Sequence, residues 1–353
     1  MQETARRAFI ASLIFVAVVA SALALWKLRI VLALLFLAFI IAASMRPSVD
    51  WLARRRIPRG VGILLHYVLL AGLIGLLLWA IVPRAIDQVD KALGGIPTSS
   101  SELERQASQS TGFKHEILVR VQDGLDELPS GAELIDSSLS LTFTAFEVLV
   151  GVFFTFACAA YWIFERERAE MLVMSLLPRD RRRTVRDTWN LIDAKLGAYV
   201  RGLLILVTFV ASVLSFIFYL IGLPFWLLIG IFAGIVEIVP VLGPIAAGAV
   251  AVGVGFTESW QLALAAGLAV LGVRLFEDYV IIPRVLGHAV GLTPLTVLVS
   301  VTAVAFLFGG FAVFLSIPFA AVIATLVDVV VRHRNPADEE TPAVLFPAKE
   351  NES

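Results

Sequence analysis

From Gly202 to Val331 the chain is almost unbroken apolar sequence, and no other feature constrains its fold as tightly. In lipid, each backbone polar group left without an internal partner costs several kcal/mol, so such a stretch reads as membrane helices. Composition agrees: 59% of the 353 residues are hydrophobic and 16% charged, against about 45–50% and 25% in soluble domains. A few charges nevertheless sit inside this region. Glu237 precedes the Pro240-Val241-Leu242-Gly243-Pro244 break, and Arg274, Glu277 and Asp278 interrupt another apolar run. A charge at mid-bilayer costs at least about 2.5–3.5 kcal/mol. The last three stand at i, i+3 and i+4, on one helical face. That face should point into a bundle or a wet cavity, which is the pattern of a solute or ion pathway.

The remaining composition excludes several classes. Net charge is −1, so no global field favours nucleic acid as a partner. One cysteine, Cys158, allows no intrachain disulfide and no cysteine-built metal site; it reads as a packing residue. His66, His115, His288 and His333 are scattered without ligand spacing. No phosphate-binding glycine loop occurs, and neither paired aspartates nor a Ser/His couple at matched depth marks an intramembrane enzyme. No cofactor is expected. Thr4 to Phe9 resembles a twin-arginine signal and Ala20-Ser21-Ala22 a cleavage site. The apolar run from Ala8 exceeds a signal core of roughly 7–15 residues, which favours a retained first helix.

Along the chain, apolar runs cover Ala8–Trp26, Ile30–Ser44, Val61–Val82 and Leu139–Phe164. A basic loop holding Arg46, Arg54, Arg55, Arg56 and Arg59 is expected between the second and third, on the cytoplasmic side by the positive-inside rule. Arg6 and Arg7 place the N-terminus there too. Between the third and fourth runs lies a polar insert with five basic residues (Arg84, Lys91, Arg105, Lys114, Arg120) against ten acidic ones. Leu118, Val121, Leu125 and Leu128 form a helical stripe within it. It reads as an outer helical hairpin arm. The arginine-rich stretch Glu165–Arg201 reads as a cytoplasmic amphipathic segment, either an anchor on anionic lipid or a gating element.

The last third reads as a span from Leu203 to Gly222, short segments Phe225–Val239 and Ile245–Phe256, a full span Gln261–Ile282, and a second interrupted pair, Leu295–Phe308 and Phe311–Val331. Paired interrupted segments point to a transporter binding site. Each pair can re-enter one face or cross twice; both arrangements leave the C-terminus inside, beside Arg332-His333-Arg334. The expected organisation is 1–83 N-terminal membrane helices, 84–138 outer arm, 139–164 fourth membrane helix, 165–201 cytoplasmic linker, 202–331 transport core and 332–353 disordered tail. The fold class is an all-α polytopic membrane protein with about eight hydrophobic segments, including broken or re-entrant helix pairs, plus an extramembrane helical arm.

The candidate pathway residues are Glu237, Pro240, Gly243, Pro244, Arg274, Glu277 and Asp278. Arg274 and Glu277, one turn apart, are either a mutual ion pair that makes the helix tolerable in lipid or part of the route. Asp278 can lie at an edge beside Tyr279. Glu237 can line the path or bond backbone groups freed by Pro240. Glu237 or Glu277 is a candidate proton or cation coupler. Glu147 and Glu258 read as interfacial, and His288 as a loop residue. Gly72, Gly75, Gly248, Gly253 and Gly255 read as helix-packing positions.

Five motifs in order carry a family resemblance: Arg46-Pro47-Ser48-Val49-Asp50-Trp51-Leu52, Tyr161 to Glu165 with Leu176-Leu177-Pro178-Arg179, Leu196 to Gly202, Ile238 to Pro244, and Glu277 to Gly287 running on to Pro294. With them the chain resembles the autoinducer-2 exporter family of bacterial membrane transporters, once called PerM-like. The resemblance implies export of small solutes, or sodium–proton exchange, and oligomers. Departures fall on suspected pathway positions. Family members often carry paired glutamines at Arg274 and Leu275, asparagine at Glu237 and glutamine at Leu203. The expectation is a secondary active transporter, not an enzyme, exporting a small polar solute or cation on a proton or sodium gradient. It would work as a homo-oligomer in the bacterial inner membrane, with both termini cytoplasmic. The alternatives are a channel-like facilitator or a scaffold acting through the outer arm.

Overall fold

The computed structural model describes residues 2–93, 131–239, 242–282 and 292–339. These are almost wholly helical, with no strand among the described residues. In chain order the helices are α1 (Gln2–Lys27), α2 (Arg29–Arg54), α3 (Arg59–Leu93), α4 (Gly131–Leu176), α5 (Arg179–Leu220), α6 (Trp226–Val236), α7 (Leu242–Glu258), α8 (Trp260–Phe276), α9 (Pro294–Phe308) and α10 (Ser316–Val330). Six segments among them are long and apolar enough to cross a bilayer; α6, α7 and α9 are shorter apolar helices. The chain is an all-α polytopic membrane protein. The outer arm's central part, the Pro240-Val241 step, His288 and the tail beyond Glu339 lie outside the described residues.

The basic loop after the second run is corrected by the structure. Arg46 to Arg54 form the last turns of α2, and only Arg55 to Pro58 separate it from α3. Pro47 sits inside this helix, where it withholds one backbone hydrogen bond. Beside it, Arg201 donates to the Ser44 carbonyl at 3.1 Å and Ser48 Oγ donates to the Met45 carbonyl at 2.7 Å. Gly197 of α5 packs directly on the Ala43 carbonyl, to which a Cβ would stand only 2.5 Å away.

The charged stretch 165–201 is built from the ends of two long helices meeting at Leu177-Pro178. At a 1.5 Å rise, α4 with 46 residues and α5 with 42 are about 69 and 63 Å long. Both are roughly twice the hydrocarbon thickness, so their charged ends stand clear of it. There Arg166, almost fully buried, donates to Asp193 at 2.6 Å, Glu170 at 3.0 Å and Asn190 at 2.7 Å. Arg46 reaches the same Asp193 oxygen at 3.0 Å, while Arg186 pairs with Glu170 and Arg59 with Glu167. Four arginines (46, 59, 166, 186) meet four carboxylates (50, 167, 170, 193). This charge-balanced cluster clasps α2, α4 and α5 together.

The C-terminal core joins α5, α6, α7 and α8 around Leu214, Phe218, Ile229, Ala233, Ala247, Ala251 and Ala266. Helices in lipid gain little from burial alone and associate through close packing of small residues. Gly230 therefore lies on Ser215, whose backbone nitrogen would be 2.6 Å from an added Cβ. Gly255 meets Ala263 in the same way, at 2.6 Å from its Cα. Gly72, Gly75 and Gly253 have open space around them and Gly248 only ordinary contact, so four of the five glycines expected at packing seams do not mark one within this chain. The break after α5 falls at Gly222, whose φ of +75° turns the chain while Leu223 N–H bonds the Phe218 carbonyl at 2.9 Å. The second interrupted pair, α9 and α10, is joined by a 3₁₀ turn over Gly310–Leu315.

Candidate ion and solute site

Glu237 stands at the C-terminal end of α6, its N–H bonded to the Ala233 carbonyl at 3.2 Å. The chain then folds back sharply. Val239 N–H bonds Val236 O at 2.9 Å and Gly243 N–H bonds Val239 O at 2.8 Å. The first turn of α7 thus presses on the end of α6. A Cβ on Gly243 would collide with the Val236 carbonyl and lie 3.0 Å from Glu237 Cα. Only glycine permits this seat, and the seat fixes where Glu237 emerges. Pro244 occupies the first turn of α7, where the missing N–H has no helical partner to lose. Pro240 lies outside the described residues.

The opposing groups come from α8, whose N-terminus is capped by Ser259 accepting from Leu262 N–H at 3.2 Å. Beyond Phe276 the helix widens into a π turn over Glu277–Ile281. π turns are rare and concentrate at functional sites. This one lies where the charges are, and no period in the sequence signals it.

Arg274 is the hub. One terminal nitrogen lies 2.9 Å from Glu237 Oε1 and 3.5 Å from Glu277 Oε2, and the other 2.9 Å from Asp278 Oδ1. Burial is graded across the group. The side chains of Glu277 and Glu237 are 2% and 5% exposed, those of Arg274 and Asp278 29% and 39%. Glu277 Oε1 is buried and takes no hydrogen bond from any donor among the described residues. The Glu237 and Glu277 carboxylates are near enough to interact directly.

A cavity of about 10 Å³ abuts the two buried carboxylates, room for about one water. Its wall is Val210 and Leu214 of α5, Pro244 and Ala247 of α7, and Val270 and Val273 of α8, with Glu237, Arg274 and Glu277 as its polar groups. Three carboxylates and one guanidinium sum to a formal −2 when all are ionised. The carboxylates surround the guanidinium and do not share one empty centre; no preassembled set of three metal-ligating side chains occurs among the described residues.

Of the sequence candidates, Glu237, Arg274, Glu277 and Asp278 meet at one point, Gly243 seats Glu237, and Pro244 lines the cavity. Glu147 and Glu258 are exposed and stand apart from it. Sequence reasoning missed Val210 and Leu214 as wall residues, since nothing distinguishes them from other apolar positions of α5. It also missed the Arg166–Asp193 pair, which lies among many similar charges.

The family model for AI-2E family transporters matches residues 13–332. YrrI of Bacillus subtilis (strain 168) is 24% identical over 308 residues, covering 83% of this chain and 84% of that one. YueF of the same organism is 28% identical over 284 residues, covering 77% of each. MT0215 of Mycobacterium tuberculosis (strain CDC 1551 / Oshkosh) is 24% identical over 340 residues, 93% and 91% of the two chains. Each is provisionally named a transport protein. With a match running through nearly all of its membrane helices, the chain belongs to the AI-2E family of membrane transporters.

Proposed function

We propose that the protein is a secondary active transporter that exports a small polar solute or cation, coupled to a proton or sodium gradient through Glu237 and Glu277. The observation that carries this reading is the charge imbalance in an enclosed apolar setting: three carboxylates against one arginine, with Glu277 Oε1 buried and lacking a donor. Ionised carboxylates of this depth and spacing repel one another. A proton or a small cation relieves that repulsion, and the water-sized cavity beside them is where it would arrive. The cluster at Asp193 also leaves one buried carboxylate oxygen without a partner, but there four arginines match four carboxylates.

The short helices α6 and α7 supply the moving parts. They meet at a break beside the carboxylates, so a small tilt of the pair changes which side the cavity faces. Arginine-rich segments support a cytoplasmic position for the α2–α3 turn, the α4–α5 bend and both termini, in a protein of the bacterial inner membrane. The test is flux in proteoliposomes under imposed pH and sodium gradients, across solutes of several charge types. Accumulation of one solute above its equilibrium ratio supports gradient coupling. Fast equilibration without accumulation would instead make the protein a facilitator.

A further inference from the structure

We infer that Arg274 is a tethered internal cation. It occupies the carboxylate site when no cargo is bound and withdraws onto Asp278 when a cation or proton arrives. This rests on the exchange reading above and adds to it the group that makes exchange obligatory.

The geometry supplies both positions of such a switch. The guanidinium contacts the buried pair through one nitrogen, at 2.9 Å from Glu237 and 3.5 Å from Glu277. Its other nitrogen contacts Asp278 at 2.9 Å, and that carboxylate is the most exposed of the three. The side chain therefore already bridges an inner site and an outer resting place. Moving off the inner pair would break the contacts with Glu237 and Glu277 and leave the one with Asp278. The guanidinium brings one positive charge to whichever position it takes. The wall leaves no alternative resident ion. Val210, Leu214, Pro244, Ala247, Val270 and Val273 bring no charge, and a free cation would need the same Glu237 and Glu277 oxygens that the guanidinium contacts. Arg274 and a free cation must then occupy the inner site in turn.

Two consequences follow. The arginine cancels part of the charge of an empty site from within, so the helices can close and reorient around it more readily than around two bare carboxylates. The arginine also competes with cargo and so lowers apparent affinity. Without it, the empty carboxylates would hold a cation or protons through the return step, and flux would uncouple.

The experiment uses purified full-length protein in proteoliposomes, with ²²Na⁺ and a pH-sensitive interior dye as probes, comparing wild type with Arg274→Gln and Asp278→Asn. Arg274→Gln should lower the apparent KM for sodium at least fivefold and raise sodium flux that is unaccompanied by proton movement about tenfold. Asp278→Asn removes the resting place and should raise the KM severalfold with coupling intact. If wild type moves neither sodium nor protons under any gradient, the exchange reading itself fails. If wild type exchanges and Arg274→Gln keeps its KM and coupling ratio, the tethered-cation role is overturned while the exchange reading stands. Should Arg274→Gln not be recovered as a monodisperse protein, Asp278→Asn decides alone: an unchanged or lowered KM refutes the role.

Discussion

Replacing Glu277 by glutamine is the sharpest single perturbation of the carboxylate group. The amide keeps the volume of the side chain and deletes its charge, so packing around this fully buried position (1% exposed) is preserved. The formal sum of the four charged groups moves from −2 to −1. The magnitude follows from the 3.5 Å separation between Glu277 and Arg274. With an effective dielectric near 20, a unit charge pair at that distance interacts by about 5 kcal/mol before solvation is counted. Dehydration of both groups offsets most of that gain. If a quarter to a half survives in the step that binds or releases the coupling ion, the loss is about 1.2–2.5 kcal/mol, roughly an eightfold to seventyfold fall in flux. The assay is initial-rate transport in proteoliposomes at matched protein density. Insertion and the thermal unfolding midpoint should stay within a few degrees of wild type. Flux within twofold of wild type, with normal insertion, would remove Glu277 from the coupling step and refute the reasoning.

Glu237→Gln should give a milder loss, about threefold to tenfold, because Glu237 is the less deeply buried of the pair and Glu277, with its unpartnered Oε1, is kept; the same flux assay checks it. Gly243→Ala forces the α6–α7 break apart at the Val236 carbonyl, and should cost about 1–3 kcal/mol, read as a lower unfolding midpoint in detergent together with reduced flux. Asp193→Asn leaves the buried Arg166 with weakened compensation and should destabilise by about 3 kcal/mol. A companion Arg166→Leu, Asp193→Leu pair should recover most of that loss in the same thermal assay, and failure to recover would mean the cluster does more than clasp helices.

Much of the architecture was legible in the sequence because lipid imposes a simple rule on backbone polar groups. Runs of about 20 apolar residues had to be helices, and the breaks at Leu223-Pro224 and Gly309-Gly310 fall where glycine and proline stand. The site was legible for a related reason: Arg274, Glu277 and Asp278 at i, i+3 and i+4 had to share a face, and the same desolvation cost that made Glu237 conspicuous also required it to find a partner. Which partner it finds depends on how α6, α7 and α8 fold back on one another, which no local pattern encodes. The end of α2 was misread because arginine density suggests a loop, whereas the charged stretch 165–201, read as amphipathic, forms the helical ends of α4 and α5. Here Arg46 and Arg166 stay helical because a buried aspartate from another helix receives both. The π turn over Glu277–Ile281 also escaped, since no period in the sequence marks it.

The central claim, that the buried charges face a route open to water, can be tested by chemical access to the cavity wall. Cys158 is the sole cysteine, so a Cys158→Ser background carrying Leu214→Cys offers one thiol on that wall. In membrane vesicles, a small charged thiol reagent should modify it from one side, at a rate that changes at least fivefold when sodium or pH gradients are imposed. A thiol that stays unmodified from both sides under every gradient, in a variant that still transports, would contradict the account.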